Sequence, residues 1–280
     1  MAITINSSSS SLVVNQLGTS RQGLVASLEK IASGKRINKA ADDAAGLAIA
    51  NSLLSQGRGL GQAMRNANDV MAMTRIADSG LDQATALVQS VRQKALQAAN
   101  ASQSAESRQA LQSEIAGSLQ ELNSLAANTT YNGQPLLNGA LSEKTFQVGA
   151  NAGETITLSI GSVEAGKLGD PEAGGMLSDI SVLSEEGAQE TIRIADEALA
   201  RIADERGRIG AAGNRLSSVL STLATTGINT LSAASTIADV DLAEEVMNFA
   251  RMKVLTEAGV FSLTQARNVN KESVLGLLQG

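Results

Sequence analysis

Residues 31–50, from Ile31 to Ala50, read I-A-S-G-K-R-I-N-K-A-A-D-D-A-A-G-L-A-I-A and join two different kinds of helix. Upstream of them, Val13, Leu17, Leu24, Leu28 and Ile31 recur at steps of three, four or seven, which lays one apolar stripe along a helix. Gly34 ends that helix, being suited to the left-handed turn of a C-terminal cap. Lys30, Lys35 and Arg36 stand at the same end, where cations complement the helix dipole. Downstream, Asn38, Asp42 and Asp43 offer side-chain oxygens to the free N–H groups of a new helix. The first turns of that helix are almost all small, with Ala40, Ala41, Ala44, Ala45, Gly46, Ala48 and Ala50, so another helix can come close.

The rest of the chain is of a kind with this joint. It has 280 residues but only three Phe, one Tyr and no Trp to fill a globular interior. Its apolar content is mostly Ala, Leu, Ile and Val, with two prolines, so long helices are the predicted fold. The fold class is mainly α: a long-helix bundle plus a terminal coiled coil, with a small β-hairpin in the central region.

Histidine and cysteine are absent, which removes the commonest general base, the commonest metal ligand and every thiol nucleophile. The carboxylate pairs Asp42–Asp43, Asp196–Glu197 and Asp204–Glu205 are adjacent in sequence, so on a helix they diverge by about 100° and cannot face one substrate together. No enzyme, cofactor or metal is expected. A net charge of −6 with no basic cluster argues against nucleic acid, and no run of eighteen apolar residues suggests a membrane span. The N-terminal residues M-A-I-T-I-N-S-S-S-S-S have no basic lead, the first positive charge being Arg21, so no cleaved signal peptide is expected.

Taken in order, Ser-rich residues 1–11 are expected to be loose and a first helix to begin near Leu12. One long helix is predicted over residues 42–100, softened at Gly57, Gly59 and Gly61, with a polar block of Gln62, Arg65, Asn66, Asn68, Asp69 and Thr74 that is either solvated or fixes register under a neighbour. A third helix over 104–128 carries Leu111, Ile115, Leu119, Leu122 and Leu125, and Tyr131–Pro135 turns the chain. Alternation around Phe146 and Val148, then Ile156, Leu158 and Ile160, predicts a hairpin near 145–160, followed by a Gly-rich surface loop over 163–175. A long helix returns over 178–234. The last begins at Asp239 with Val240, Ala243, Met247, Ala250, Val254, Ala258 and Phe261 at steps of three and four, and its natural partner is the N-terminal stripe. Residues 1–50 carry five Lys or Arg against three Asp or Glu, and 239–280 carry four against six, which is compatible with that pairing.

The stretch S-G-K-R-I-N-K-A-A-D-D-A-A-G-L-A-I-A resembles the N-terminal signature of bacterial flagellins, the subunits of the flagellar filament. Further blocks follow in the family's order: Gln62–Asp69, Gln112–Leu137, Phe146–Ile156, Arg208–Leu216 and the closing V-L-G-L-L-Q-G. The resemblance implies a structural subunit that polymerises helically into an extracellular filament for motility. It implies a terminal coiled-coil domain at 1–41 and 239–280 and a helical-bundle domain at 42–238; the outer domains that many flagellins insert are expected to be absent here, since only about 40 residues separate Leu137 from the returning helix. It also implies export without a cleaved signal through the flagellar type III apparatus, and as partners further copies of the chain, an export chaperone, the filament cap and the hook-associated junction proteins. The assembly surface would then use Leu17, Leu24, Leu28, Ile31, Arg36, Asn38, Asp42, Asp43, Val240, Met247, Val254, Phe261, Leu275 and Leu278. Two alternatives stand beside it: a hook-filament junction protein, though these tend to have a proline beside the paired aspartates where this chain has A-A-D-D-A-A, and a non-polymerising helical-bundle binding module or adhesin.

Many flagellins also resemble one another in a block Q-R-x-R-E-L-x-x-Q that a Toll-like receptor engages, helped by a glutamate on the next helix. The corresponding residues here are Q-S-V-R-Q-K-A-L-Q, in which Gln89, Arg92 and Gln97 match, and Glu114 fits the second helix. Ser90 replaces an arginine and Lys94 a leucine, which implies weak receptor activation.

Overall fold

The computed structural model describes residues 2–170 and 175–278, with side chains described for 11–169, 175–269 and 271–272. In chain order the elements are α1 (Ala2–Ser33), α2 (Ala44–Ala98), α3 (Ala105–Asn128), β1 (Thr130–Tyr131), β2 (Gln134–Pro135), β3 (Lys144–Gln147), β4 (Thr155–Leu158), β5 (Gly169–Asp170) and β6 (Gly175–Met176). A 3₁₀ turn at Leu177–Asp179, then α4 (Glu185–Ala238) and α5 (Leu242–Leu278), complete the chain. It divides into two compact units, residues 1–57 with 228–280, and residues 58–227. The first unit therefore takes in the start of α2 and the end of α4 as well as the terminal helices. Ala50, Ala234 and Ala238 are buried there, and Gly57 lies where a Cβ would stand 3.0 Å from Leu231, so close packing extends well past the joint.

The unit of residues 58–227 is a three-helix layer with the β elements against it. On α2, Ala67, Val70, Met73, Ala77, Leu81, Ala84, Val88, Val91 and Ala95 are buried at steps of three and four. They meet Leu111, Ile115 and Leu122 of α3 and Ile194, Ile202, Ile209 and Leu216 of α4 in one continuous core. Ser104 caps α3, its hydroxyl accepting from the Ser107 amide at 3.2 Å. Asn132 and Gly133, with φ of 48° and 76°, form the two-residue turn between β1 and β2. In the second hairpin Phe146 pairs with Ile156, and Val148, Ile156, Leu158 and Ile160 go into the core.

Several sequence expectations change. The first helix begins at Ala2, ten residues before Leu12; serine is only a mediocre helix former, and a run of it does not forbid a helix that starts with Ile3 and Ile5 close by. Residues 163–170 are not a loop on the surface, since Val163, Ala165 and Leu168 are buried and β5 pairs with β6. The amide of Asn123 fixes this segment by accepting from the Ala165 N–H at 2.9 Å. Residues 171–174 lie outside the described residues. Helix α4 starts seven residues later than 178, at Glu185, because Ser184 caps it through the Gly187 amide. The Gln112 side chain holds the intervening strand-like segment, accepting from Val182 N–H at 2.8 Å and donating to Ile180 C=O at 3.2 Å.

The polar block on α2 turns out to be divided between solvent and structure. Asn66 donates to the Gln147 carbonyl at 3.0 Å and Asp69 accepts from the Tyr131 hydroxyl at 3.2 Å, so both tie α2 to the β elements. Thr74 is buried and satisfies itself on the Met71 carbonyl. Arg65 remains exposed and bonds its helical neighbour Gln62.

Candidate assembly surface and receptor patch

The joint at 31–50 is built as its residues predict, except that two of the three expected caps, Asn38 and Asp42, take other roles. Gly34 takes φ of 69° and its amide closes on the Lys30 carbonyl, ending α1. Asp43 caps α2, its carboxylate accepting from the Gly46 amide at 2.8 Å. Asp42 instead closes the turn before the helix by accepting from the Asn38 and Lys39 amides at 3.0 and 2.9 Å. These two backbone donors hold the Asp42 carboxyl below its ordinary value. Asn38 is not a cap; its side chain donates to the Lys35 carbonyl.

A second joint docks on the first. Arg36 N–H donates to the Ala238 carbonyl at 2.7 Å, Val240 N–H to the Gly34 carbonyl at 3.1 Å, and Lys35 pairs with Asp239 as an antiparallel bridge. The Arg36 guanidinium adds a bond of 2.6 Å to the Ile237 carbonyl. Beneath this clasp Ile37, absent from the sequence-derived set, is 3% exposed. The ends of the two halves of the chain are thus fastened backbone to backbone.

Helices α1 and α5 pair along their length. The seam is lined by Val13, Leu17, Ser20, Leu24, Ser27 and Ile31 among the buried or half-buried residues of α1, and by Glu245, Phe249, Met252, Thr256, Gly259, Leu263 and Ala266 among those of α5; Gly23, Glu29, Lys30 and Asn248 are half-buried beside them. Both lining sets alternate steps of three and four, the spacing of a coiled-coil seam. Gly23 and Gly259 sit in close approach, where an added Cβ would stand 3.2 Å from Met252 Sδ and from Leu17 Cδ1 respectively. Ser27 donates to the Glu245 carboxylate inside the seam.

The predicted stripe of α5 is therefore not the one that faces α1. Met247, Val254 and Phe261, spaced by seven, are 62%, 62% and 72% exposed, and Leu28 on α1 is exposed as well. The chain carries two heptad-spaced faces on α5, and the one that closes within the molecule includes Glu, Thr and Gly, which hid it from an apolar count. Leu17, Leu24 and Ile31 do lie in the seam; Val240 is half-buried at the clasp. The side chains of Leu275 and Leu278 lie outside the described ones.

On α2, Gln89 and Gln97 are exposed, Ser90 is half-buried and Arg92 binds Asp196 of α4 through Nε at 2.5 Å. Lys94 and Glu114 are ion-paired at 3.3 Å, a contact the separate motif positions did not foretell. Among the described residues no group of three or more His, Cys, Asp or Glu could hold a metal, and no helix is long and apolar enough to cross a membrane.

Comparison with known proteins agrees at both ends of the chain. Residues 5–142 match the model for the bacterial flagellin N-terminal helical region, and residues 192–278 match that for the bacterial flagellin C-terminal helical region. Flagellin B of Helicobacter pylori is 46% identical over 170 residues, 60% of this chain and 33% of that protein, so the chain matches only a third of that relative. Flagellin of Bacillus subtilis is 32% identical over 293 aligned positions, covering 95% of this chain and 96% of that one. A solved Vibrio parahaemolyticus protein, provisionally assigned as flagellar hook-associated, aligns with a TM-score of 0.60 over 71% of this chain and 100% of its own, at 14% identity, a likeness of fold alone.

Proposed function

Because this chain belongs to the bacterial flagellin family, which consists of structural filament proteins and not enzymes, we propose that it is a subunit that polymerises helically into the extracellular flagellar filament. One observation carries the reading: the terminal pair α1–α5 closes one heptad seam and leaves a second, through Met247, Val254 and Phe261, turned to solvent. An apolar face of that kind on a helix pair suits contact with another subunit. Heterologous contacts that do not close into a ring generate a helical filament. The exposed Leu28 adds to the surface, while Arg36, Asn38, Asp42 and Asp43 serve it by holding the joint in shape. Outside the filament, the partners are an export chaperone on α5, the type III export apparatus, the filament cap and the hook-associated junction proteins.

Electron microscopy of purified protein after seeding tests the reading: long uniform filaments support it, and persistent monomers would favour a soluble adhesin module. Arrest as short rings or caps on hook fragments would favour a junction protein. Deleting residues 240–280 should abolish chaperone capture in a pull-down. For the Toll-like receptor, the reading is weak activation: Ser90 lacks the planar donor of arginine and Lys94, paired to Glu114, places a hydrated ammonium at an apolar contact. A reporter-cell assay should show weak activation by the chain and recovery with Ser90→Arg plus Lys94→Leu; strong activation by the unmodified protein would refute it.

A further inference from the structure

In the unit of residues 58–227 a groove of about 330 Å³ opens between α2, the β1–β2 turn and β3. The chain has four aromatic residues in all, and two of them, Tyr131 and Phe146, both half-buried, line this groove. Val70 and Met73, both buried, form an apolar floor. The rim is of another character. The side-chain amides of Asn132 and Gln134 and the hydroxyl of Thr145 are exposed and, among the described residues, bond to no protein group. Asp69 uses Oδ1 to accept from the Tyr131 hydroxyl, which leaves its second oxygen facing out of that bond.

We propose that this groove is a binding site for a neutral saccharide. A pyranose offers apolar C–H faces and, around its edge, hydroxyls that each donate and accept; Tyr131 and Phe146 supply flat apolar surface for the first and the amides, Thr145 and Asp69 supply mixed donors and acceptors for the second. Among the described residues the groove contains no lysine or arginine with which to hold a phosphate or a carboxylated sugar. Its volume is at the small end of the range for ligand sites, which suits one or two rings. Burial and the neighbouring Asp69 push the Tyr131 phenol up, so at neutral pH it stays protonated and keeps its hydrogen bond to the carboxylate. That bond fixes the ring against α2 within the lining of the groove. The site does not depend on filament formation, since every residue belongs to one chain.

The test is saturation-transfer NMR on the full-length monomer with glucose, galactose, mannose and N-acetylglucosamine as separate probes, repeated with arginine and choline as cationic controls. At least one sugar should show transfer with a Kd on the order of 1 to 10 mM, as exposed single-ring sites do. Asp69→Ala and Gln134→Ala should each weaken it about tenfold or more, and Gln83→Ala, outside the groove, should leave it unchanged. Circular dichroism of each variant establishes that it is folded, and Asp69→Asn, which keeps an acceptor for Tyr131, separates loss of the ring's anchor from loss of the sugar contact. No transfer from any of the four sugars at about tenfold that concentration, or binding indifferent to both substitutions, overturns the proposal. So does a groove that takes arginine or choline in preference to every sugar.

Discussion

The two units satisfy their apolar side chains by different means. In residues 58–227 a core running from Ala67 to Leu216 draws on three helices and both larger strands, and its members are covered on every side. The unit of residues 1–57 and 228–280 has one seam between α1 and α5 and one clasp at the joints, and it leaves Leu12, Val25, Leu28, Met247, Val254 and Phe261 in solvent. A core of the first kind can stabilise a fold without help. The second kind buries too little to offset the order of two long helices and gains most when something else covers it.

The largest expected effect divides the two. Val254→Asp or Phe261→Asp should abolish filament formation in a sedimentation assay, because an unpaired charge at a closing subunit contact costs several kcal/mol, yet leave thermal unfolding of the monomer within about 0.5 kcal/mol of the parent. Loss of monomer stability in either variant would show that this face already closes within the chain. Next in size, Ile115→Ala or Leu137→Ala removes a fully buried side chain and should destabilise the monomer by about 2 to 5 kcal/mol in denaturant unfolding, with assembly lost only through unfolding.

A smaller effect tests the seam. Glu245→Ala leaves the Ser27 hydroxyl without its acceptor and should cost about 1 kcal/mol, read as faster hydrogen exchange in α1 with residues 58–227 unaffected. Replacing both, Ser27→Ala with Glu245→Leu, should restore slow exchange, since an apolar pair needs no partner. The smallest is a pH effect at the joint. Asp42 titrates lower in the folded chain than in the unfolded one, so its contribution is fully present above the ordinary aspartate value and is lost as pH falls below about 4 through the depressed value. Asp42→Asn should flatten that part of the acid profile, measured by exchange at the Asn38 and Lys39 amides.

Much of this was legible because helices announce themselves locally. The stop at Gly34, the cap at Asp43, the bounds of α3 and the core face of its Leu111, Ile115 and Leu122 follow from spacing and cap chemistry. The hairpin of Phe146 and Ile156 follows from alternation. What escaped was of two kinds. The α5 seam escaped because Glu245, Thr256 and Gly259 occupy core positions for reasons that only the partner helix supplies, a hydroxyl in one case and a close approach in another. The burial of Val163 and Leu168 escaped because a Gly-rich segment that packs is indistinguishable in composition from one that does not, and Asn123, which fixes it, is some forty residues away. The Lys94–Glu114 pair belongs with these, being a matter of how two helices face each other.

The hydroxyl of Tyr131 resting on Asp69 has one further use. With no tryptophan and no second tyrosine in the chain, all phenolic absorption and emission arise from a ring wedged between α2 and the β1–β2 turn. The molecule therefore carries its single phenol in the unit of residues 58–227 and none in the other, whose aromatic rings are the weakly absorbing Phe249 and Phe261. Its ultraviolet signal will follow melting of that unit alone, and any gap between that curve and one drawn from helical dichroism measures how independently the terminal helices come apart.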